Sequence, residues 1–241
     1  MSSRSYATNG CKTCSGLTLI ELLVALGIMA IMAVMSWQGL DAMARARTMA
    51  DDHHNQVAVL NTGLQQWVQD LDKVVETPPL SVITWDGRVL RLIRHSTGSA
   101  HDGLLVAAWT RGVRDVNGVG QGQWLRWQSK PKTTVNELRA AFDQAGVWAQ
   151  NAGETGRQQE TSIVPLQGWQ IYFYRAGAWT NPLSSQALPG ESRATAYSTD
   201  SVTSGAAIDG IRLVVTLPPG HPMGGAITRD WVRPTLSDGK S

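Results

Sequence analysis

The hydrophobic positions along the chain fall into three regimes. From Leu17 to Leu40 the sequence is apolar with little interruption, and among those 24 residues only Glu21 carries a charge. As a helix rising about 1.5 Å per residue the run covers about 36 Å, enough to cross the hydrocarbon core of a bilayer. Past Asp41 charges return, yet the helical period continues. Val57, Leu60, Leu64, Trp67, Leu71 and Val74 recur at spacings of three and four, which puts them on one helix face. Thr77-Pro78-Pro79 closes the pattern, because proline lacks the helical donor and restricts the residue before it. One helix from about Thr18 to Glu76 is predicted, its first half serving membrane and partners and its second half a domain core.

The third regime alternates short strand-like runs with turn residues. Strands are predicted at Leu80 to Trp85, Arg88 to Arg94, Leu104 to Thr110, Gln123 to Gln128, Thr161 to Leu166, Trp169 to Arg175, Gly210 to Leu217 and Ala226 to Val232. Asp86-Gly87 is a hairpin signal, since it supplies a positive φ at little cost. Thr134-Val135-Asn136-Glu137 fits a capping box and opens a second helix to about Ala149, with Leu138, Phe142 and Trp148 as core contacts. Asn151 to Glu160 and Asn181 to Ala207 read as polar loops. The expected class is α+β: a long N-terminal helix packed on antiparallel β-sheet, with no internal repeat and no further domain boundary.

Composition narrows the partners. A chain of 241 residues with 42% hydrophobic and 17% charged residues is that of a folded protein. The formal charge of +2, without a basic block or stripe, gives no basis for binding nucleic acid. Both cysteines, Cys11 and Cys14, form a C-x-x-C ahead of the apolar run, without the strand–helix context of a redox site or the further ligands of a zinc site.

The feature that asks for an explanation is Glu21. A carboxylate inside hydrocarbon is costly enough that it normally has a partner or a task. Ahead of it lies a short polar leader with Arg4 and Lys12 and no acid, which fits an N-terminus held in the cytoplasm and a chain that continues outside. An ordinary signal peptide is cut after its apolar run, at small residues, but a cut there would sever the helix. A glycine, Gly16, stands before the run instead.

Gly16-Leu17-Thr18-Leu19-Ile20-Glu21, followed by Leu22-Leu23-Val24-Ala25, resembles the processing motif of type IV prepilins and type II secretion pseudopilins. The resemblance implies cleavage between Gly16 and Leu17 by a prepilin peptidase on the cytoplasmic side and methylation of the new N-terminus. Leu17 replaces the phenylalanine most common in that family. It also implies a task for Glu21, which would receive the Leu17 amine of a neighbouring subunit during fibre assembly; two buried charges are tolerable when paired. Loss of the leader removes two of the 21 basic residues, Arg4 and Lys12, leaving 19 against 19 acidic ones, and removes both cysteines.

The layout narrows the resemblance. A processed N-terminus and a long helix, then "PLQGWQIYFYRAGAWTNP", "IDGIRLVVTLPPG" and "AITRDWV", look like the J-type minor pseudopilins of type II secretion systems. A pilin-like fold is then implied, divided into a leader (1–16), a transmembrane and assembly half-helix (17–40), an amphipathic half-helix (41–79) and a periplasmic β-rich domain (80–241). The implied function is a place in the pseudopilus tip complex, anchored by a single pass in the bacterial inner membrane. The implied partners are the I- and K-type minor pseudopilins, the major pseudopilin and the prepilin peptidase. A minor pilin of a type IV pilus is the alternative, and a signal-anchored periplasmic enzyme is a third reading from another class.

Chemistry adds little to this. His53 and His54 are adjacent on a helix and share no face, while His95, His101 and His221 fall in separate segments, so no metal set is expected. Asp115-Val116-Asn117-Gly118 offers oxygen ligands in a glycine-rich loop but lacks the remaining positions of an EF-hand. No G-x-S-x-G elbow gathers a nucleophile, so neither an enzyme nor a cofactor is expected. Of the ten tryptophans, Trp67, Trp148 and Trp169 lie on apolar faces and read as core, whereas Trp179 could face a partner.

Overall fold

The computed structural model describes residues 18–75, 82–96, 103–151, 153–175, 177–183 and 208–234. The elements run α1 (Leu19–Asp72), β1 (Ile83–Trp85), β2 (Val89–His95), β3 (Leu104–Val116), β4 (Val119–Gln128), α2 (Val135–Gln150), α3 (Glu154–Gln158), β5 (Glu160–Pro165), β6 (Gly168–Arg175), β7 (Ala178–Thr180), β8 (Gly210–Leu217) and β9 (Gly225–Val232). The chain divides into two compact units, Met1–Asp52 and His53–Ser241.

In the first unit, α1 is apolar without a core of its own: Leu22, Leu26, Met29, Met32, Trp37 and Leu40 are all exposed. The helix is long and apolar enough to cross a membrane. In the second unit the helix ends at Asp72, four residues before the expected Glu76. Beyond it, His95 N donates to Lys73 O at 3.0 Å and Val75 N to Ile93 O at 3.1 Å. Strand β1 pairs with β2 from Leu90 to Leu92 and Val82 O accepts Ile93 N at 3.0 Å, and the remaining outer edge, from Ile93 O to His95, takes this backbone in place of a last helical turn. Pro78 and Pro79, the expected stop signal, lie outside the described residues.

The strands make two antiparallel sheets, ordered β1-β2-β3-β4-β5 and β7-β6-β8-β9. Strands β3 and β4 run further than expected, to Val116 and from Val119, and pair there directly across Asn117-Gly118. Asn117 (φ 56°) and Gly118 (φ 81°) both occupy the left-handed region that a two-residue hairpin turn needs. Asp115 Oδ1 accepts Gly118 N at 2.8 Å, so the segment weighed as a cation loop is this turn. Two short elements are not among those predicted: α3 lies inside the predicted loop Asn151 to Glu160, and β7 lies between the predicted strand end at Arg175 and the predicted loop from Asn181; β7 forms because Gly177 (φ 83°) folds Ala178–Thr180 back onto β6.

Alternation along the first sheet assigns its two faces to two cores. Leu90, Leu92, Leu105, Ala107, Trp109 and Trp124 face α1 and the second sheet, whose Ile171, Phe173, Ile211, Leu213 and Val215 complete that core. Val89, Ile93, Val106, Ala108, Leu125 and Trp127 face α2 and meet Leu138, Ala141, Ala145 and Trp148. Helix α2 is capped as expected, with Glu137 N donating to Thr134 Oγ1 at 3.3 Å. Trp148 Nε1 donates to Glu160 Oε2 at 2.7 Å, and Arg114 Nε to Glu160 Oε1 at 2.6 Å. Burial pushes the Glu160 carboxyl up, but these two partners outweigh it and hold the group below the usual carboxylate range.

Helix α1 lies close against the first sheet at Gly63, where an added Cβ would stand 2.5 Å from Ile163 Cγ2 and 3.1 Å from a Trp124 ring carbon. Gly63→Leu is therefore expected to lower stability by about 2 kcal/mol or more, overpacking outweighing the gain in helix propensity. Thermal melting of the detergent-solubilised chain followed by circular dichroism measures it; an unchanged or raised midpoint would show that the helix can lift off at no cost.

The same helix face carries a charge into the interior. Asp70 is 0% exposed and Arg94 3%. Arg126 Nε donates to Asp70 Oδ2 at 2.8 Å and Nη2 to Oδ1 at 2.9 Å; Trp109 Nε1 donates to Oδ2 at 2.9 Å, and Gln66 Nε2 to Oδ1 at 3.0 Å. Arg94 Nε stands 3.1 Å from Oδ1 as an ion pair, and Gln128 Oε1 accepts from both arginines. One carboxylate on the helix thus fastens β2, β3 and β4. At the other side of the helix end, Trp231 Nε1 of β9 donates to Asp72 Oδ1 at 2.8 Å, tying the second sheet to the same turn.

Candidate functional site

Glu21 lies in the first turn of α1, and its first partner is local. Glu21 Oε2 accepts Thr18 N at 3.0 Å and the Thr18 hydroxyl at 2.9 Å, while Glu21 N donates to Thr18 Oγ1 at 3.4 Å. That is a capping box, with Thr18 as N-cap and Glu21 three residues on. A carboxylate at this position also complements the positive end of the helix dipole. The same T-x-x-E spacing that identifies the start of α2 is therefore present at the start of α1. Gly16 and Leu17, the expected processed pair, lie outside the described residues.

Around Glu21 the helix offers apolar surface. Ile20, Val24, Ala25 and Ile28 line a shallow furrow with the carboxylate at its edge. Exposed leucine, isoleucine and methionine side chains continue to Leu40, and Asp41 then pairs with Arg45 one turn on, where charge returns to the helix. Such surface is stable only against lipid or against other apolar helices. Farther along, Met43, Ala46 and Ala50 are exposed on a face of small or flexible side chains.

The remaining candidates fall elsewhere. Trp67 and Trp148 are core residues as expected, and Trp169 is half-buried, edge-on to Trp85 with ring centroids 5.1 Å apart. Trp179 is half-buried too: the Tyr174 ring lies 5.1 Å away and the Arg212 guanidinium sits over it at 4.3 Å. Arg212 is in turn gripped by Asp230, at 2.7 Å from both nitrogens, and its hydrogen bond holds the Asp230 carboxyl below the usual range. Trp179 is thus a packed part of the outer face of the second sheet. Among the described residues no group of three His, Cys, Asp or Glu side chains is placed to hold a metal ion.

Residues 11–37 match the model of the prokaryotic N-terminal methylation motif, a span that includes Gly16, Leu17 and Glu21. Type II secretion system protein J of Escherichia coli is 23% identical over 195 residues, covering 78% of this chain and 91% of that protein. A chain of the GspK-GspI-GspJ complex from the enterotoxigenic Escherichia coli type 2 secretion system matches with a TM-score of 0.42 and 12% identity, over 73% of this chain and 96% of that one.

Proposed function

We propose that this chain is a J-type minor pseudopilin of a type II secretion system, which joins other minor subunits at the tip of a short periplasmic fibre and promotes its assembly for protein export. The observation that carries this is a lone carboxylate at the head of an exposed apolar helix, inside a methylation motif, on a chain similar to a secretion J protein along most of that protein's length. Residues 1–16 are the cleaved leader, 17–40 the half-helix that anchors and assembles, 41–79 the amphipathic half and 80–241 the periplasmic part. The partners are I- and K-type minor pseudopilins, the major pseudopilin and the prepilin peptidase. The role is structural and needs no catalytic group.

Deleting the gene tests the reading: export of the host's secreted enzymes should stop while twitching and surface pili persist. The reverse outcome would make the chain a minor pilin of a type IV pilus. Retention of Met1 to Gly16 on the mature protein would instead favour a signal-anchored enzyme.

Processing gives a sharper expectation. The peptidase must accommodate a residue without a side chain beside the cut, so Gly16→Val should leave the full-length precursor in the inner membrane, visible as a slower band on a gel. Mature protein of normal size from that variant would refute the assignment of Gly16.

The face at Met43, Ala46 and Ala50 suits close helix approach better than a private core. Ala46→Arg should reduce co-purification of neighbouring minor subunits by about tenfold, with the melting midpoint unchanged. A lowered midpoint would assign that face to the fold.

A further inference from the structure

A groove of 390 Å³ runs in the second unit between α1 and the outermost strand of the first sheet, β5. Its apolar floor is Ala58, Val59, Gly63 and Ile163, and Gln66 and Arg126 stand at one wall. Val59 and Ile163 also line an adjoining hollow of 460 Å³, so the two form one furrow along the helix. Strand β5 pairs only with β4 among the described strands, and its outer edge borders this furrow.

The electrostatics of the furrow are one-sided. Among the described residues Arg126 is the single charged residue lining the 390 Å³ groove, and no acidic residue lines either part. Behind Arg126 lies the Asp70 cluster, in which two guanidinium groups, Arg94 and Arg126, share one carboxylate. Both Asp70 oxygens already accept two donors each or stand within ion-pair distance of an arginine, so Asp70 has no capacity for more. Arg126 Nη1 takes part in none of these bonds. A buried cluster carrying a net positive charge is costly until an anion meets it, and here the approach to it is an apolar furrow lined by Arg126, whose side chain remains 13% exposed.

We propose that this furrow takes an apolar segment of a partner subunit that carries one acidic side chain, whose carboxylate pairs with Arg126. The floor of aliphatic carbon selects a side chain mounted on an apolar segment over a free inorganic anion, and the surplus charge selects a carboxylate over a neutral or basic group. The inference rests on the reading of this chain as a minor subunit with subunit partners.

The test uses the full chain, co-produced with the other minor subunits and captured in detergent. Val59→Asp sets a carboxylate of the chain's own on the groove floor without touching the Asp70 cluster, and Val59→Asn is its neutral isostere. Val59→Asp should weaken capture of the partner about tenfold or more and Val59→Asn less than threefold, with melting unchanged in both. Equal losses would overturn the selection of a carboxylate, and no loss in either would overturn the groove as a contact. Concentration-dependent self-association abolished by Val59→Asp would assign the groove to a second copy and overturn the proposal as well. Wild-type chain that captures no subunit at all would refute the minor-subunit reading, which separates that failure from the failure of the groove.

Discussion

Glu21→Ala should be cleaved after Gly16 and inserted into the membrane as well as the wild type, yet fail to join the fibre tip or support secretion. Insertion is not at risk, because the change makes the anchoring segment more apolar. Assembly is, if Glu21 receives the Leu17 amine of an adjoining subunit. Two unit charges near 4 Å attract by about 4 kcal/mol at an effective dielectric of 20, and losing one leaves the other unpaired in hydrocarbon. The capping box supplies a competing explanation, since Glu21 also holds Thr18 N and Thr18 Oγ1. Loss of a cap is worth about 1 kcal/mol, several times less. Thr18→Val separates the two: it breaks the cap and keeps the carboxylate, so it should retain most secretion. If Thr18→Val fails as completely as Glu21→Ala, the carboxylate acts through the helix start. Full secretion and normal partner cross-linking by Glu21→Ala would leave Glu21 without an assembly role.

The largest loss of stability is expected at Asp70. Asp70→Ala removes the carboxylate shared by Arg94 and Arg126, and breaking a buried pair in this way costs about 3–5 kcal/mol. For a chain of this size that is a fall of about 10 °C in the melting midpoint, read by circular dichroism. Burial presses the Arg94 pKa down and the Asp70 charge opposes it, but a guanidinium stays protonated, so the charge cannot be shed to escape the cost. The counterpart, Asp70→Leu with Arg94→Met and Arg126→Met, should melt close to the wild type, because an apolar core of similar volume needs no pairing. A midpoint for Asp70→Ala within about 2 °C of the wild type would show that water reaches the two arginines.

What the chain discloses in advance follows the range of the interaction. The helix from Thr18, the cap at Thr134 and Glu137 and eight of the nine strands rest on signals within a few residues, a period of 3.6 or 2 or a turn pair, and they could be read. The extra length of β3 and β4 could also have been read, since Asn117-Gly118 is a strong two-residue turn signal; the valines, glycines and charges around it masked the alternation. Strand β7 could not, because three residues carry no period. Nor could the division into two sheets, since alternation says that a residue faces a core without saying which one. The Asp70 cluster is hidden for the same reason: Asp70, Arg94 and Arg126 are three polar residues in three separate patterns, and only the stacking of α1 over β2 and β4 brings them together. As for the site, Gly16, Leu17 and Glu21 stand out because the motif is contiguous, whereas the Arg126 furrow exists only once β5 lies beside the helix.

Strand order has a kinetic consequence. In the first sheet the strands lie side by side in the order in which they occur along the chain, and β1 to β4 follow one another across short connections, so this four-stranded meander can form progressively, with β5 added after α2 and α3. The second sheet has two local hairpins, β6–β7 and β8–β9, but they join only when β8 pairs with β6 across β7 and the connection 181–209, and the entropy of closing a loop rises with its length. Its inner residues gain burial in the core that Leu90 and Trp109 share with Leu60, Trp67 and Leu71 of α1, so the first sheet and the helix serve as the template on which the second condenses. The order of events is then meander first, second sheet last. Trp231, reaching back across 159 residues to Asp72, becomes the contact whose formation reports that folding is complete.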